Sequence, residues 1–136
     1  MKIKVTFKDL DKLMRNNQVF TESAIRCACM ACADKSLPVV LIDDPMSEQG
    51  STNFIGAATL LECKYPELSF TALIDNEDAA KMLTDGHNQG FTLGGYALFN
   101  KTSKPVNDEQ IVDAIMIDSL GCCENSIYNC SYEITD

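Results

Sequence analysis

The sequence predicts an α+β fold in which a curled mixed or antiparallel sheet, or a small β-barrel, carries two short helices. Three observations indicate this class. Several segments alternate apolar and polar residues with the period of two that is typical of half-buried strands. Two segments combine helical spacing with the signals that begin and end helices. Finally, Gly94 and Gly95 lie side by side within an apolar strand segment, which suits a sheet that bends.

The predicted strands are apolar or alternating runs bounded by polar loops, glycine or proline. In chain order they are Lys2–Phe7, Pro38–Ile42, Phe54–Cys63, Leu68–Ile74, Gly90–Asn100, Glu109–Ile117 and Asn129–Thr135. The third and fourth predict a hairpin across Lys64–Pro66, with Gly56 as a candidate bulge. The periodicity of Glu109–Ile117 fits helix or strand, and its β-branched residues and short length favour a strand. In the first strand, the residues expected to face the core are Ile3, Val5 and Phe7.

The two helices are predicted from their ends. Thr21 is placed to cap a helix over 22–33, because its hydroxyl can accept a hydrogen bond from a free backbone N–H of the first turn. Asp75 or Asn76 caps a second helix over 77–84, and Gly86 ends it. A further short helical turn could form within 9–14.

Composition and charge limit the kinds of partner. The chain has 136 residues, of which 46% are hydrophobic and 23% are charged, as expected for a single globular domain over residues 1–136. Its formal net charge is −9, from 20 acidic and 11 basic residues spread along the sequence. Such a surface repels phosphate backbones and anionic lipid, so we expect neither a nucleic-acid nor a membrane partner. Basic protein partners fit this charge better.

The cysteines indicate the compartment. The chain contains 7 cysteines and its first residues alternate like a strand instead of forming the apolar run of a secretion signal. Thiols persist in reducing compartments, where they behave as small hydrophobic side chains. We therefore expect an intracellular protein that is not secreted.

The order and spacing of the segments resemble those of a known protein family. Asn17–Ile25, the strand Pro38–Ile42 and the run Phe54–Ala58 resemble the opening of the tailed-phage prohead maturation proteases. Gly90–Tyr96 is similar to the strand that carries the nucleophile of that family. The resemblance covers most of residues 16–128. It implies a herpesvirus-protease-like β-barrel with flanking helices, a serine–histidine catalytic pair, and a location in the host cytoplasm or the virion.

The sequence departs from the family at the catalytic positions. Thr92 stands where the family carries its serine, and Asp43 and Asp44 stand where its histidine is expected. A carboxylate is a poor substitute, because the base must take a hydroxyl proton near neutral pH. We therefore assign no catalytic residue. The alternative pairs His87, the single histidine, with Thr92 or with a cysteine, whereas the simpler interpretation places His87 in a solvated loop.

No metal site and no cofactor are expected. Cys29 and Cys32 form a C-x-x-C pair and are the candidate metal ligands, but the predicted helix turns Cys27 away from them, and zinc sites usually hold such pairs in a turn. Buried thiols explain these cysteines better. The acidic set Asp43, Asp44 and Glu48 lacks the spacing of an EF-hand.

These observations give a functional hypothesis. The chain is expected to be a non-catalytic bacteriophage virion or head-assembly accessory protein that acts by protein–protein binding on a prohead-protease-like scaffold. Its candidate partners are capsid or other virion proteins, and a homo-oligomer is a candidate assembly. Two alternatives stay open: an active prohead-type maturation protease, and a small phage-encoded inhibitor or ligand-sequestering protein directed at a host factor.

Overall fold

The computed structural model describes residues 1–15, 17–42, 53–86, 89–99, 110–124 and 126–135. Within them, eight strands and two helices follow one another. They are β1 (Lys2–Lys8), β2 (Gln18–Phe20), α1 (Glu22–Cys32), β3 (Leu37–Leu41), β4 (Phe54–Lys64), β5 (Glu67–Ile74), α2 (Glu77–Asp85), β6 (Gln89–Phe99), β7 (Gln110–Glu124) and β8 (Asn129–Ile134). The predicted α+β class with two short helices is confirmed.

The strands form one mixed sheet in the order β2-β7-β3-β4-β5-β1-β8, with β6 added to β7. The pairings of β2 and β3 with β7 are parallel, and the others are antiparallel. The sheet curls until β6 and β8 approach each other, yet no described backbone ladder joins them. The result is an open half-barrel, in agreement with the predicted curled sheet.

Strand β7 organises the sheet. The start of β7 pairs with β2 and the end of β7 pairs with β3, while β6 runs along β7 in the antiparallel sense. Helix α1 connects β2 to β3, which lie one after the other along the same edge of β7, and packs against β7. The segment Glu109–Ile117, whose periodicity fits helix or strand, is described from Gln110 onwards and is a strand there, as predicted. It continues to Glu124, and β6 pairs with it from Val112 to that residue.

The core lies on the concave side of the sheet. Ile3, Val5 and Phe7 are fully buried, as their alternation predicts. The rings of Phe7 and Phe70 meet edge to face with centroids 6.1 Å apart, and Phe7 meets Tyr128 in the same way at 5.4 Å. These rings join β1 and β5 to the segment before β8. Such pairs stabilise a core beyond the apolar area that they bury.

The predicted helix ends are confirmed. The Thr21 hydroxyl accepts a hydrogen bond from the backbone N–H of Ala24 at 3.1 Å. At the second helix Asn76, and not Asp75, is the cap, and its side-chain oxygen accepts from the N–H of Ala79 at 2.9 Å. Gly86 ends that helix with a φ of 70°, a conformation that glycine adopts at little cost.

Two local features differ from the sequence expectation. Residues 9–14 form a hydrogen-bonded turn, in which Lys12 N–H donates to the Asp9 carbonyl at 3.0 Å, and do not continue as a helix. The backbone of Leu10 instead bonds to two distant residues, donating to the Pro66 carbonyl and accepting from Phe20 N–H, both at 3.1 Å. The short strand β2 was not predicted, because its sequence does not alternate and its pairing with β7 creates it.

The glycine positions explain the bends. Gly95 has a φ of 143°, and a Cβ there would overlap the carbonyl oxygen of Met116 across the ladder. The β6–β7 register shifts at Gly94/Gly95, as expected for paired glycines in a curving sheet. A second shift in register lies beside Gly56, between Val39 and Val40 on β3. The predicted hairpin of β4 and β5 is also present.

Candidate functional site

Thr92, the residue at the nucleophile position of the resembled family, is buried in the sheet. It pairs with Gly121 on β7 and is 7% exposed. A Cβ at Gly121 would lie 2.8 Å from both the Thr92 methyl group and the Ile42 terminal carbon. The methyl of Thr92 therefore packs in an apolar environment. His87, Asp43 and Asp44 lie outside the described residues, so the structure does not place the sequence-predicted partners of Thr92.

Phe91, the residue before Thr92, joins β6 to the β8 region at one end of the half-barrel. We call its contacts with Ser126, Cys130 and Tyr132 the Phe91 closure. Its backbone N–H donates to the Cys130 thiol at 3.2 Å, and its carbonyl accepts from the same thiol at 3.4 Å and from the Ser126 hydroxyl. The Phe91 and Tyr132 rings meet edge to face, with centroids 5.8 Å apart. Hydrogen bonds from side chains of the β8 region to the Phe91 backbone thus join this region to β6, where no backbone ladder is described. Sequence reasoning missed Ser126 and Cys130, because no local pattern marks a contact across such a distance in the chain.

The cysteines form two groups. The first lies between α1 and β4, where the thiols of Cys29 and Cys32 neighbour Cys63. The second comprises Cys122, Cys123 and Cys130 near the Phe91 closure. As predicted, Cys29 and Cys32 share the buried face of the helix, whereas Cys27 is exposed.

The environment of Cys29, Cys32 and Cys122 keeps their thiols protonated, because burial raises the pKa of each. Burial is the main cause that raises the pKa of Cys29, and the neighbouring Cys63 raises it further. Burial likewise raises the pKa of Cys122 to about 12. Only the thiolate is a strong nucleophile and metal ligand, so these groups are chemically quiet near neutral pH. Within the described ranges, no three histidine, cysteine or acidic side chains are arranged to hold a metal ion, and Cys29 and Cys32 act as core residues.

We expect one fast-reacting thiol in the native protein. Alkylation by iodoacetamide at neutral pH should label Cys27 first, and Cys29, Cys32, Cys122 and Cys123 at least about tenfold more slowly, because these four require local opening. Peptide mass spectrometry over time would measure this order. The Cys27→Ser variant is the control and should lack the fast phase. Rapid labelling of Cys29 or Cys122 would contradict the packing described above.

One edge of β6 is the most distinctive surface feature near Thr92. The N–H and C=O groups of Phe91 point away from β7, because they bond to Cys130 and Ser126. Successive residues of a strand alternate, so the polar backbone groups of Leu93 point the same way, and past the register shift at Gly94/Gly95 the edge of β6 away from β7 continues to Phe99. We name the edge from Gly94 to Phe99 the β6 free edge. Among the described strands, only β7 pairs with β6.

The surroundings of the β6 free edge are acidic and partly apolar. Strands β6 and β7 contain no lysine or arginine, and the side chains of Asp113 and Asp118, on the part of β7 that pairs with this edge, are exposed. Met116 on β7 is 60% exposed and Gly95 is exposed as well. Unpaired strand edges are templates for pairing with another chain. The edge, the apolar side chain and the carboxylates together form a candidate protein-binding site.

A second exposed apolar area lies on the outer surface of the sheet. Phe54 on β4 is 61% exposed, and Leu73 on β5 is 59% exposed. Leu73 pairs with Ala57, which is also exposed, and with Lys2 of β1. Scattered exposed apolar residues are ordinary on protein surfaces, so this area supports binding less specifically than an unpaired strand edge does.

The comparisons with known proteins leave the family open. No protein-family model, no curated protein and no solved structure matches this chain. The relationship to prohead proteases therefore remains a prediction from the short motifs. In the part of the chain that the structure describes, no helix is long and apolar enough to span a membrane.

Proposed function

We propose that this protein is a non-catalytic bacteriophage virion or head-assembly accessory protein that acts by binding other proteins. The observation that carries the binding function is the β6 free edge, where backbone donors and acceptors of a long strand lack a described strand partner. Edge strands of this kind bind other chains by strand addition. The phage assignment rests on the resemblance of Asn17–Ile25 and Gly90–Tyr96 to the prohead proteases.

The position of Thr92 supports a role without catalysis. A nucleophile must approach the reacting carbonyl to about 3–3.5 Å. The Thr92 side chain is nearly inaccessible and packs towards Gly121 and Ile42 within the sheet. An extended substrate lying along the β6 free edge would meet the backbone of β6 before it met this hydroxyl.

The charge of the protein supports a protein partner. The net charge of −9 favours association with basic surfaces and speeds their encounter. Capsid or other virion proteins are the partners that the family resemblance implies. A homo-oligomer belongs to the same proposal, since one copy can also present its edge to another.

Size-exclusion chromatography with light scattering tests the proposed function. The purified chain would be mixed with the proteins encoded beside it, and mass spectrometry would identify the components of any shifted peak. We expect stable co-migration with a virion protein whose chain stays intact. A shortened partner would instead indicate proteolysis, and a shift seen only with a host protein or a small ligand would indicate an inhibitor.

Matched variants separate binding from residual catalysis. Thr92→Ala and His87→Ala remove the two candidate catalytic side chains. Both variants should retain partner binding and leave the partner intact, as the parent protein does. Cleavage by the parent that either variant abolishes would overturn the non-catalytic proposal.

A further inference from the structure

We infer that the β6 free edge binds an extended basic segment of a partner protein as an added strand. This inference rests on the proposed binding function and names the site, the binding mode and the chemistry of the partner. Main-chain hydrogen bonds would supply the contact along β6. Long basic side chains of the added strand would extend across β6 towards the carboxylates of β7, which lies two strand spacings, about 10 Å, away.

The backbone of β6 indicates strand addition as the binding mode. At Phe91, the groups turned away from β7 already bond to Cys130 and Ser126. Beyond the register shift at Gly94/Gly95, β7 is the strand that the described structure pairs with Gly95 and Ala97. An added strand that begins beside Gly95 would extend the ladder that the Phe91 closure leaves incomplete.

Charge complementarity supplies the chemistry of the partner. Asp113 and Asp118 are exposed on the part of β7 that pairs with the edge, and neither β6 nor β7 has a basic residue to neutralise them. A strand rich in lysine or arginine would be attracted to both carboxylates, whereas an acidic strand would be repelled. The exposed Met116 offers an apolar contact for alternate side chains of the same segment.

The edge of β8 is a weaker candidate for strand addition. The hydroxyl of Tyr132 donates to the carbonyl of Leu83 at 2.6 Å, which places α2 beside the second half of this strand. Cys130, near its start, is already engaged with Phe91. Lys4 pairs with Glu133 across the β1–β8 ladder, so the acidic residue of this edge has a basic neighbour.

Two labelled peptides test the inference on the full chain. The first is a ten-residue peptide that alternates lysine and valine, and the second replaces each lysine with glutamate. Fluorescence anisotropy at low salt should show at least about tenfold tighter binding of the lysine peptide, and this preference should shrink as salt screens the charges. Equal binding of the two peptides, or binding of neither, would overturn the inference.

Hydrogen exchange locates the bound peptide. The lysine peptide should slow amide exchange in β6 between Gly95 and Phe99. Binding without protection there would show charge attraction alone and would overturn strand addition. Protection that rises with protein concentration in the absence of peptide would assign the edge to a second copy of this chain, and would overturn the assignment to a basic partner.

Two variants test the site. Ala97→Pro removes an N–H of the free edge and spares the ladder to β7; it should weaken the lysine peptide about tenfold. The double variant Asp113→Asn/Asp118→Asn should weaken binding of the lysine peptide severalfold. This second variant tests the site even if Ala97→Pro does not fold. The control, Asp11→Asn with Asp34→Asn, changes the net charge equally at exposed positions elsewhere and should bind as the parent does.

The same variants separate this inference from the proposed function. If an intact virion protein still co-migrates with Ala97→Pro and with the Asp113/Asp118 variant, binding is real and the assigned site is wrong. If the parent protein shortens its partner, the proposed function fails, whatever the peptides show.

Discussion

Replacement of Phe70 with alanine should lower the free energy of unfolding by about 3–5 kcal/mol, the cost usual for emptying a buried phenylalanine site. Phe70 is fully buried on the concave face of β5, and its ring meets that of Phe7 edge to face. The curled sheet surrounds this position, so the walls cannot collapse into the cavity without breaking ladders. Urea unfolding followed by circular dichroism would measure the loss.

Leu73→Ala is the matched control for Phe70→Ala. Leu73 lies on the same strand but points outward and is 59% exposed, so its truncation should change stability by less than about 0.5 kcal/mol. Phe7→Ala combined with Phe70→Ala should cost less than the sum of the two single changes, because both remove the same ring contact. A loss below about 1 kcal/mol for Phe70→Ala would contradict the described core.

Gly56→Ala is expected to destabilise the protein by about 2–4 kcal/mol, because overpacking against backbone leaves no flexible group to move. A Cβ at this position would overlap the carbonyl oxygen of Leu73 and lie 3.0 Å from its carbonyl carbon. Gly56 pairs with Ile74 in the β4–β5 ladder. Relief of the clash must therefore separate two central strands.

Gly86→Ala separates the steric effect at Gly56 from the conformational freedom of glycine. The nearest atom to a Cβ at Gly86 is the Tyr132 hydroxyl at 4.0 Å, so no clash arises and only the left-handed backbone is penalised. This change should cost about 1 kcal/mol. Thermal or urea unfolding of both variants should give the larger loss for Gly56→Ala, and the reverse order would contradict the close approach of β4 and β5.

The proposed absence of catalysis and the proposed binding depend on different features of one strand, β6. The proposed absence of catalysis depends on Thr92, whose side chain is packed within the sheet. The proposed binding depends on β6, whose edge away from β7 has no described strand partner beyond the Phe91 closure. The same strand therefore carries both arguments. A partner that stays intact on this strand would support them together.

The sequence predicted the secondary structure where the signal was local. Thr21 and Gly86 mark helix ends through backbone groups within a few residues, and Ile3 and Val5 mark a strand by simple alternation. Each of these signals depends on neighbours in the chain. Residues 9–14 form a turn that does not continue as the helix their local pattern indicates. The backbone of Leu10 forms hydrogen bonds with the distant residues Pro66 and Phe20 instead of with local ones.

Only part of the candidate site could be predicted from the sequence. The sequence drew attention to the strand around Thr92 and to the glycines at 94 and 95, and the structure places both on β6. It gave no sign of the closure by Ser126 and Cys130, which bond to Phe91 from residues far along the chain. It also gave no sign that one edge of β6 would lack a described strand partner, because strand order follows from long-range pairing.

The sequence by itself determined that this chain is an acidic α+β protein with capped helices, alternating strands and the thiols of Cys29 and Cys32 turned towards its core. These properties follow from charge, period and local hydrogen bonding, each of which acts over a few residues. The tertiary structure alone decided that β7 lies between β6 on one edge and β2 and β3 on the other, and that the side chains of Ser126 and Cys130 join the β8 region to Phe91 in an open half-barrel. Those features depend on which distant segments pair, and pairing is decided by the packing of the whole sheet.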